Sequence, residues 1–262
     1  MAQNEFLYAY SSLAIVFCLL VVIIFAGELG FHLGHFVQRR TDSEIKALTG
    51  SIQGSILGLL ALLLGFTFSM SMQRYDNRSM AMIEEANAIG TTILRVELLP
   101  ATHKSVMDSL LQEYVALRIA SGTLDMSQEA ERREHQVKVT QLQNRMWAQA
   151  VEAAQEDPRP VTTGAFIQSL NGLIDSQGKR SALLQMHVPE VVLILLFLVF
   201  VSSGGMLGYS SGLTGSRVMM PLALISLLIT LIVFIIVDLD RPRRGIIQVD
   251  QAPMRALLVE PV

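Results

Sequence analysis

The sequence predicts an all-α integral membrane protein with four transmembrane helices and a helical cytoplasmic insert between the second and the third. Of its 262 residues, 51% are hydrophobic, and the mean hydropathy of +0.45 is too high for an ordinary soluble domain of this length. The hydrophobic residues gather in four runs of about 20 residues, which is the length that a helix needs to cross a bilayer. Between these runs, apolar residues recur at helical spacing, and no stretch alternates as a strand would.

The first run comprises residues 6–27. It opens with aromatic residues that suit the membrane interface, and no Lys or Arg precedes it, which argues against a signal peptide. Beyond its end, Glu28, His32 and His35 share one helical face, a spacing that can hold a transition metal. A polar helix end at the interface is the simpler explanation, because a metal site normally needs a further ligand and supporting hydrogen bonds. We therefore predict no metal and no cofactor.

The second run, residues 51–70, contains no charged residue and carries a stripe of glycines. Gly50, Gly54 and Gly58 recur at every fourth position, so one face of the predicted helix lacks side chains. Small residues let helix backbones approach closely in lipid, where no hydrophobic force drives helices together. The stripe therefore predicts that this helix packs against another helix or another subunit, or that it lines a water-filled space.

The cytoplasmic insert comprises residues 71–187. The helical pattern of the second run continues without a stop signal to Pro100, which predicts one long helix from about Ser51 to Leu99. Thr102 is a candidate N-cap for the next helix. Three further helices are predicted from apolar stripes, which are Val106, Leu110, Tyr114 and Leu117; Val139, Leu142, Met146 and Ala150; and Phe166, Leu170, Leu173 and Ile174.

The third and fourth runs are residues 188–209 and 219–237, and residues 238–262 form a C-terminal tail. Four spans place both termini and the insert on the same side of the membrane. Basic residues near the membrane favour a cytoplasmic location for that side, and so for the N- and C-termini. On that side we count Arg74, Arg78, Lys179, Arg180, Arg241, Arg243 and Arg244, against Arg39, Arg40, Lys46 and Arg217 on the other.

Several motifs carry a resemblance to a known family. Leu64-Gly65-Phe66 followed by Tyr75-Asp76-Asn77-Arg78 resembles the end of the second transmembrane helix in bestrophins, which are pentameric anion channels. The segment E-A-N-A-I-G-T from Glu85 to Thr91 and the segment D-L-D-R-P…G-x-I from Asp238 to Ile247 are closer still to a bacterial bestrophin-like family. The resemblance covers nearly the whole chain. One departure is Ser79-Met80, where bestrophins usually have a pair of tryptophans.

The resemblance implies a homo-oligomer, with the pentamer of bestrophins as the suggested stoichiometry, that spans the lipid bilayer of a bacterial inner membrane and passes an inorganic ion. In bestrophins the row matching Gly58, Leu62 and Phe66 is a hydrophobic neck that controls permeation. Gly65 joins Gly50 and Gly54 as a helix-packing position. The charged residues after the second and fourth spans would lie at the cytoplasmic mouth of the pore, and these are Arg74, Asp76, Arg78, Asp240 and Arg241. We further hypothesise that Asp240 accepts hydrogen bonds from Arg74 or Arg78.

Other function classes have little support in the sequence. It has no phosphate-binding loop, zinc-protease motif or nucleophile elbow, so we predict that the protein is not an enzyme. The formal net charge of -3 provides no basic field to attract nucleic acid. The alternative to a channel is a non-conducting membrane scaffold or sensor that binds a cytoplasmic partner through its helical region.

Overall fold

The structure is a computed structural model that describes residues 10–123, 129–217, 219–242 and 245–258. Within these ranges all regular secondary structure is helical, which confirms the predicted all-α class. The chain divides into two compact units. The first contains Met1–Gln73 and His187–Arg241, and the second contains Arg74–Met186 and Pro242–Val262.

The α-helices begin and end as follows: α1 Ser12–Val37, α2 Ser43–Arg95, α3 Ala101–Ala120, α4 Glu129–Glu156, α5 Thr163–Leu184, α6 Glu190–Thr214, α7 Met219–Leu239 and α8 Ala252–Ala256. Short 3-10 turns at Gln38–Arg40, Val96–Leu98 and Ser121–Thr123 follow α1, α2 and α3. The long second helix is present as predicted, although it begins at Ser43 rather than near Ser51. The first helix begins at Ser12, where the Ser11 hydroxyl accepts a hydrogen bond from the Ala14 N–H.

In the first unit, α1 packs along α6 and also contacts α7. Glycines make the α1–α6 packing possible, because a Cβ at Gly208 would overlap the carbonyl oxygen of Gly27. A Cβ at Gly30 would likewise overlap the carbonyl oxygen of Gly205. The glycines at the far end of the third run therefore lie against the first helix. Larger side chains from α1, α2, α6 and α7 complete the core of this unit, among them Ile23, Leu60, Leu196, Phe200 and Ile236.

Three helical stretches are long and apolar enough to cross a membrane, namely Ser12–Arg40, Ser43–Leu98 and Glu190–Thr214. Helix α7 corresponds to the predicted fourth span, but the described apolar part, Ala223–Leu239, is shorter than the other three. The described residues thus support three membrane-spanning helices by length and composition.

The second unit contains the later part of α2 together with α3, α4, α5 and α8, around a separate hydrophobic core. Tyr114, Met146 and Phe166 are fully buried there, as their positions in the apolar stripes predicted. Two details differ from expectation. Val106 is 44% exposed, and Thr102 does not cap α3, because its hydroxyl donates to a carboxylate oxygen of Glu156 at 2.9 Å instead.

Candidate pore-lining face and buried ion cluster

Helix α2 packs within the first unit along a narrow stripe. Leu60 and Leu64 join the core of the unit, and Thr67 and Ser71 continue the buried stripe at helical spacing. The Thr67 hydroxyl donates to the carbonyl oxygen of Leu63 at 2.7 Å, so this buried hydroxyl has a hydrogen-bond partner in its own helix. One side of this part of α2 is therefore committed to contacts within the chain.

The opposite side of α2 is open, and it carries the predicted neck. With about 3.6 residues per turn, Gly58, Leu62 and Phe66 lie roughly opposite the buried stripe. Leu62 is 54% exposed and Phe66 is 60% exposed. The glycines of this part of α2 are also open, since a Cβ built at Gly50, Gly54, Gly58 or Gly65 would meet no described atom within 4 Å. The predicted packing of these glycines thus remains a prediction about contacts between subunits.

In the second unit, Arg78 closes the C-terminal end of α5. Its guanidinium donates from Nε to the carbonyl oxygen of Leu183 at 3.3 Å and from Nη2 to that of Met186 at 2.6 Å. Carbonyl groups at a helix C-terminus have no partner in their own helix, and a buried arginine supplies both donors and a favourable charge. This arginine of the Y-D-x-R motif therefore fixes the last turn of α5 on α2.

In the first unit, the D-L-D-R motif joins the ends of three helices. A carboxylate oxygen of Asp240 accepts from the N–H of Val188 at 2.9 Å, which ties the end of α7 to the start of α6. The neighbouring Arg241 donates to the carbonyl oxygen of Tyr10, just before α1. Both side chains are buried. The hypothesised pairing of Asp240 with Arg74 or Arg78 remains a prediction.

A buried ion cluster lies in the second unit, and it was not predicted from the sequence. Arg118 donates to Glu85 from Nε at 2.5 Å and from Nη2 at 3.0 Å. Arg180 donates to the same carboxylate from Nη1 at 2.7 Å. The Glu85 side chain is 0% exposed, and the two arginine side chains are each 4% exposed. The cluster therefore connects α2, α3 and α5 through one carboxylate.

The electrostatics of the cluster favour an ionised Glu85, which lies beyond the predicted membrane segment 51–70. Burial by itself raises the pKa of this carboxyl group, but the hydrogen bonds and charges of Arg118 and Arg180 outweigh burial, so the pKa is lowered. Burial lowers the pKa of Arg180, and the neighbouring Arg118 adds to this effect. Burial also raises the pKa of the nearby Tyr114 hydroxyl. The three charged groups of the cluster sum to one net positive charge.

A signal for this cluster exists in the sequence. Arg118 follows Leu110 and Tyr114 at four-residue intervals, so it occupies a position of the apolar stripe of α3. Arg180 lies seven residues, or two helical turns, beyond Leu173, so it continues the stripe of α5. A charged residue at a stripe position must be paired if it is buried. The identity of its partner is not readable, because Glu85 lies in a different helix from either arginine.

The cluster also explains the E-A-N-A-I-G-T motif. Its glutamate is Glu85, while Ala86 and Ile89 point into the core of the second unit. A Cβ at Gly90 would lie 3.4 Å from Leu257 of the C-terminal segment. The motif therefore specifies packing inside the helical unit, and its side chains offer no acid–base pair.

The three candidate metal ligands near the end of α1 do not converge on one point. Glu28 lies 3.8 Å from His32 and 3.9 Å from Arg217, whereas the His35 ring stacks on Phe31 with centroids 5.9 Å apart. Within the part of the chain that the structure describes, no three His, Cys, Asp or Glu side chains come together to hold a metal ion. The geometry of these three residues fits a polar helix end.

The fold and these sites define the class of protein: an α-helical membrane protein with long apolar helices and a separate helical unit held by buried ion pairs. A family model described as a Bestrophin-like domain matches residues 14–254, so the chain belongs to the bestrophin-like family. The resemblance drawn from the motifs is thereby confirmed. Searches of curated proteins and of solved structures each found no significant match.

Proposed function

We propose that this protein assembles into a homo-oligomer, a pentamer by analogy with bestrophins, and conducts an inorganic ion across a bacterial inner membrane. In this proposal the chain crosses the bilayer four times, with α7 as the fourth span. The helical insert and both termini lie in the cytoplasm. Helix α2 of each subunit lines the pore, and an anion is the first candidate for the permeant ion.

One observation carries the proposal. The face of α2 with Gly58, Leu62 and Phe66 has no packing partner among the described residues, although the opposite face is buried. An open apolar face in a membrane helix meets either lipid or another subunit. The other open glycines of this part of α2, Gly50, Gly54 and Gly65, suit close helix contacts, which supports assembly with another subunit.

The proposed mechanism places a hydrophobic neck at Leu62 and Phe66. These residues are one helical turn apart, so rings of them around an axis would form a constriction about 6 Å long. Such constrictions can gate a pore by expelling water, and small changes in their width have large effects on conduction. Gly58 continues the row without a side chain and would leave the pore wider there.

The test is ion flux in liposomes that contain the purified oligomer. Leu62→Ala and Phe66→Ala should each raise the flux roughly tenfold, which corresponds to a barrier lowered by about 1.4 kcal/mol. Leu198→Ala is the matched control, because Leu198 is a 61% exposed apolar residue of α6 rather than α2. Flux measured separately with chloride and with potassium as the permeant ion identifies the sign of its charge.

Assembly is tested separately from conduction. Gly54→Leu should reduce the oligomer seen by light scattering in detergent, whereas Ser202→Leu, on an exposed position of α6, should not. A stable oligomer that passes neither chloride nor potassium, in the wild type and in both neck variants, would overturn the channel and favour the non-conducting scaffold or sensor. A monomer would overturn the α2-lined pore altogether.

A further inference from the structure

The C-terminal segment, residues 245–258, belongs to the second unit and packs on the rest of that unit at two points. Met254 is fully buried in the hydrophobic core, and Leu257 lies beside Gly90 of α2. The second point is polar. The Gln251 side-chain oxygen accepts a hydrogen bond from Nη2 of Arg180 at 3.0 Å, so this residue of the segment contacts the buried ion cluster directly.

The position of Gln251 depends on a glycine opposite it. A Cβ at Gly122 would lie 2.9 Å from the Gln251 side-chain oxygen and 3.1 Å from its carbonyl carbon. The absence of a side chain at this position therefore leaves room for the amide. Gln251 also donates from Nε2 to the carbonyl oxygen of Val249 at 3.1 Å, which orients its oxygen toward Arg180.

The charge of the cluster explains why an acceptor is needed there. Two guanidinium groups face one carboxylate, Glu85, which already accepts three hydrogen bonds. Arg180 therefore has an N–H group that Glu85 does not bind. Because this side chain is buried, leaving that N–H without an acceptor would be costly. Gln251 supplies the acceptor without supplying a negative charge.

We propose that Arg180 and Gly122 form a recognition site for a hydrogen-bond acceptor of the chain's own C-terminal segment, which acts as a strap across the helical unit. Because the cluster carries a net positive charge, the site prefers an acceptor with a negative charge over a neutral one. The strap holds α3 and α5 in place around Glu85. The proposal does not depend on whether the protein conducts ions.

The test uses hydrogen exchange of the strap in the full-length protein. The N–H groups of Met254, Arg255, Leu257 and Leu258 are hydrogen-bonded inside the strap and report its opening. Gln251→Met keeps the volume of the side chain but removes the acceptor, so these amides should exchange about tenfold faster or more. Gln251→Glu also loses the amide donor but keeps an acceptor, and its exchange should be as slow as that of the wild type or slower.

Two further variants make the test specific. Gly122→Ala should accelerate the same amides, because its methyl group displaces Gln251 from the other side of the site. Ile246→Ala, at a strap residue that is 76% exposed, should leave them unchanged. Equal acceleration by Gln251→Glu and Gln251→Met would overturn the preference for a charged acceptor. Unchanged exchange in Gln251→Met would overturn the recognition site itself, even if Met254→Ala opened the strap.

Discussion

Glu85 on α2 accepts two hydrogen bonds from Arg118 on α3, at 2.5 Å and 3.0 Å, and both side chains are excluded from solvent. Such an arrangement is costly to assemble, since each charge loses its hydration. It is costlier to break, because removing one partner leaves the other charge buried without compensation. The pair therefore makes the packing of α2 against α3 highly sensitive to substitution.

The first prediction concerns this pair. Glu85→Gln should destabilise the protein by about 3–5 kcal/mol, since two buried guanidinium groups lose their counter-charge. The measurement is denaturant unfolding in detergent. Glu84→Gln is the matched control, because Glu84 pairs with Lys179 at 2.6 Å on the surface, where such pairs contribute about 0–1 kcal/mol. Similar losses in the two variants would contradict a special role of the buried carboxylate.

The second prediction concerns pH. The pKa of Glu85 is lowered from its ordinary value of 4.5, so its stabilising contribution is fully present above that value and is lost as the pH falls. Between about pH 5 and pH 3, the melting temperature of the wild type should fall more steeply than that of Glu85→Gln. The comparison is needed because Asp157, bound to Arg159, also has a lowered pKa. Parallel pH profiles would rule out Glu85 as the titrating group.

The third prediction compares two glycines of α6, Gly208 and Gly205. A Cβ at Gly208 would overlap the Gly27 carbonyl oxygen, so Gly208→Ala should destabilise the protein by about 1–3 kcal/mol. A Cβ at Gly205 would lie 3.7 Å from the nearest neighbouring atom, the Ala26 carbonyl oxygen. Gly205→Ala should therefore be neutral or slightly stabilising, because alanine favours the helix. The measurement is the melting temperature of each variant in detergent. A lower melting temperature for Gly205→Ala than for Gly208→Ala would refute the α1–α6 packing.

The fourth prediction concerns topology. In a Cys18→Ser background, a cysteine introduced by Ser105→Cys in α3 should resist a membrane-impermeant thiol reagent in intact cells. A cysteine introduced by Ser216→Cys, in the exposed connection between α6 and α7, should react with it. Both should react after lysis. Labelling of the first site alone in intact cells would place the helical insert outside the cytoplasm.

The fifth prediction concerns the hypothesised pairing of Arg78 with Asp240. Each residue has other partners. Arg78 donates hydrogen bonds to carbonyl groups at the end of α5, and Asp240 accepts one from the N–H of Val188. Arg78→Gln and Asp240→Asn should therefore each lower stability by themselves. If the two side chains also pair, the double variant should lose less than the sum, by at least about 0.5 kcal/mol. Strictly additive losses of stability would show that Arg78 and Asp240 do not interact.

Most of the fold could be predicted because its signals are local. A run of apolar residues reveals a membrane-spanning length, and the spacing of Leu110 and Tyr114, or of Leu142 and Met146, reveals which side of a helix is buried. These properties depend on the neighbours of a residue within a few turns. The bestrophin-like motifs are also contiguous, so their recognition needed no three-dimensional information.

The partners of the buried charges could not be predicted in the same way. Glu85 directly follows Glu84 in the sequence, and its partners lie 33 and 95 residues away. Gln251 carries no local signal at all. Which polar groups end up sharing one desolvated site depends on how three helices and the C-terminal segment meet, and periodicity does not encode that.

The glycines show most clearly which properties follow from the sequence and which depend on the tertiary structure. The sequence by itself determined that this chain forms long apolar helices and that several carry stripes of small residues. Only the tertiary structure decided that Gly30 and Gly208 lie within the α1–α6 contact, whereas Gly54 and Gly58 face open space. The physical reason is that a glycine stripe permits close approach but does not attract a particular partner. The partner is selected by the surrounding side chains, which must fill the space around that contact.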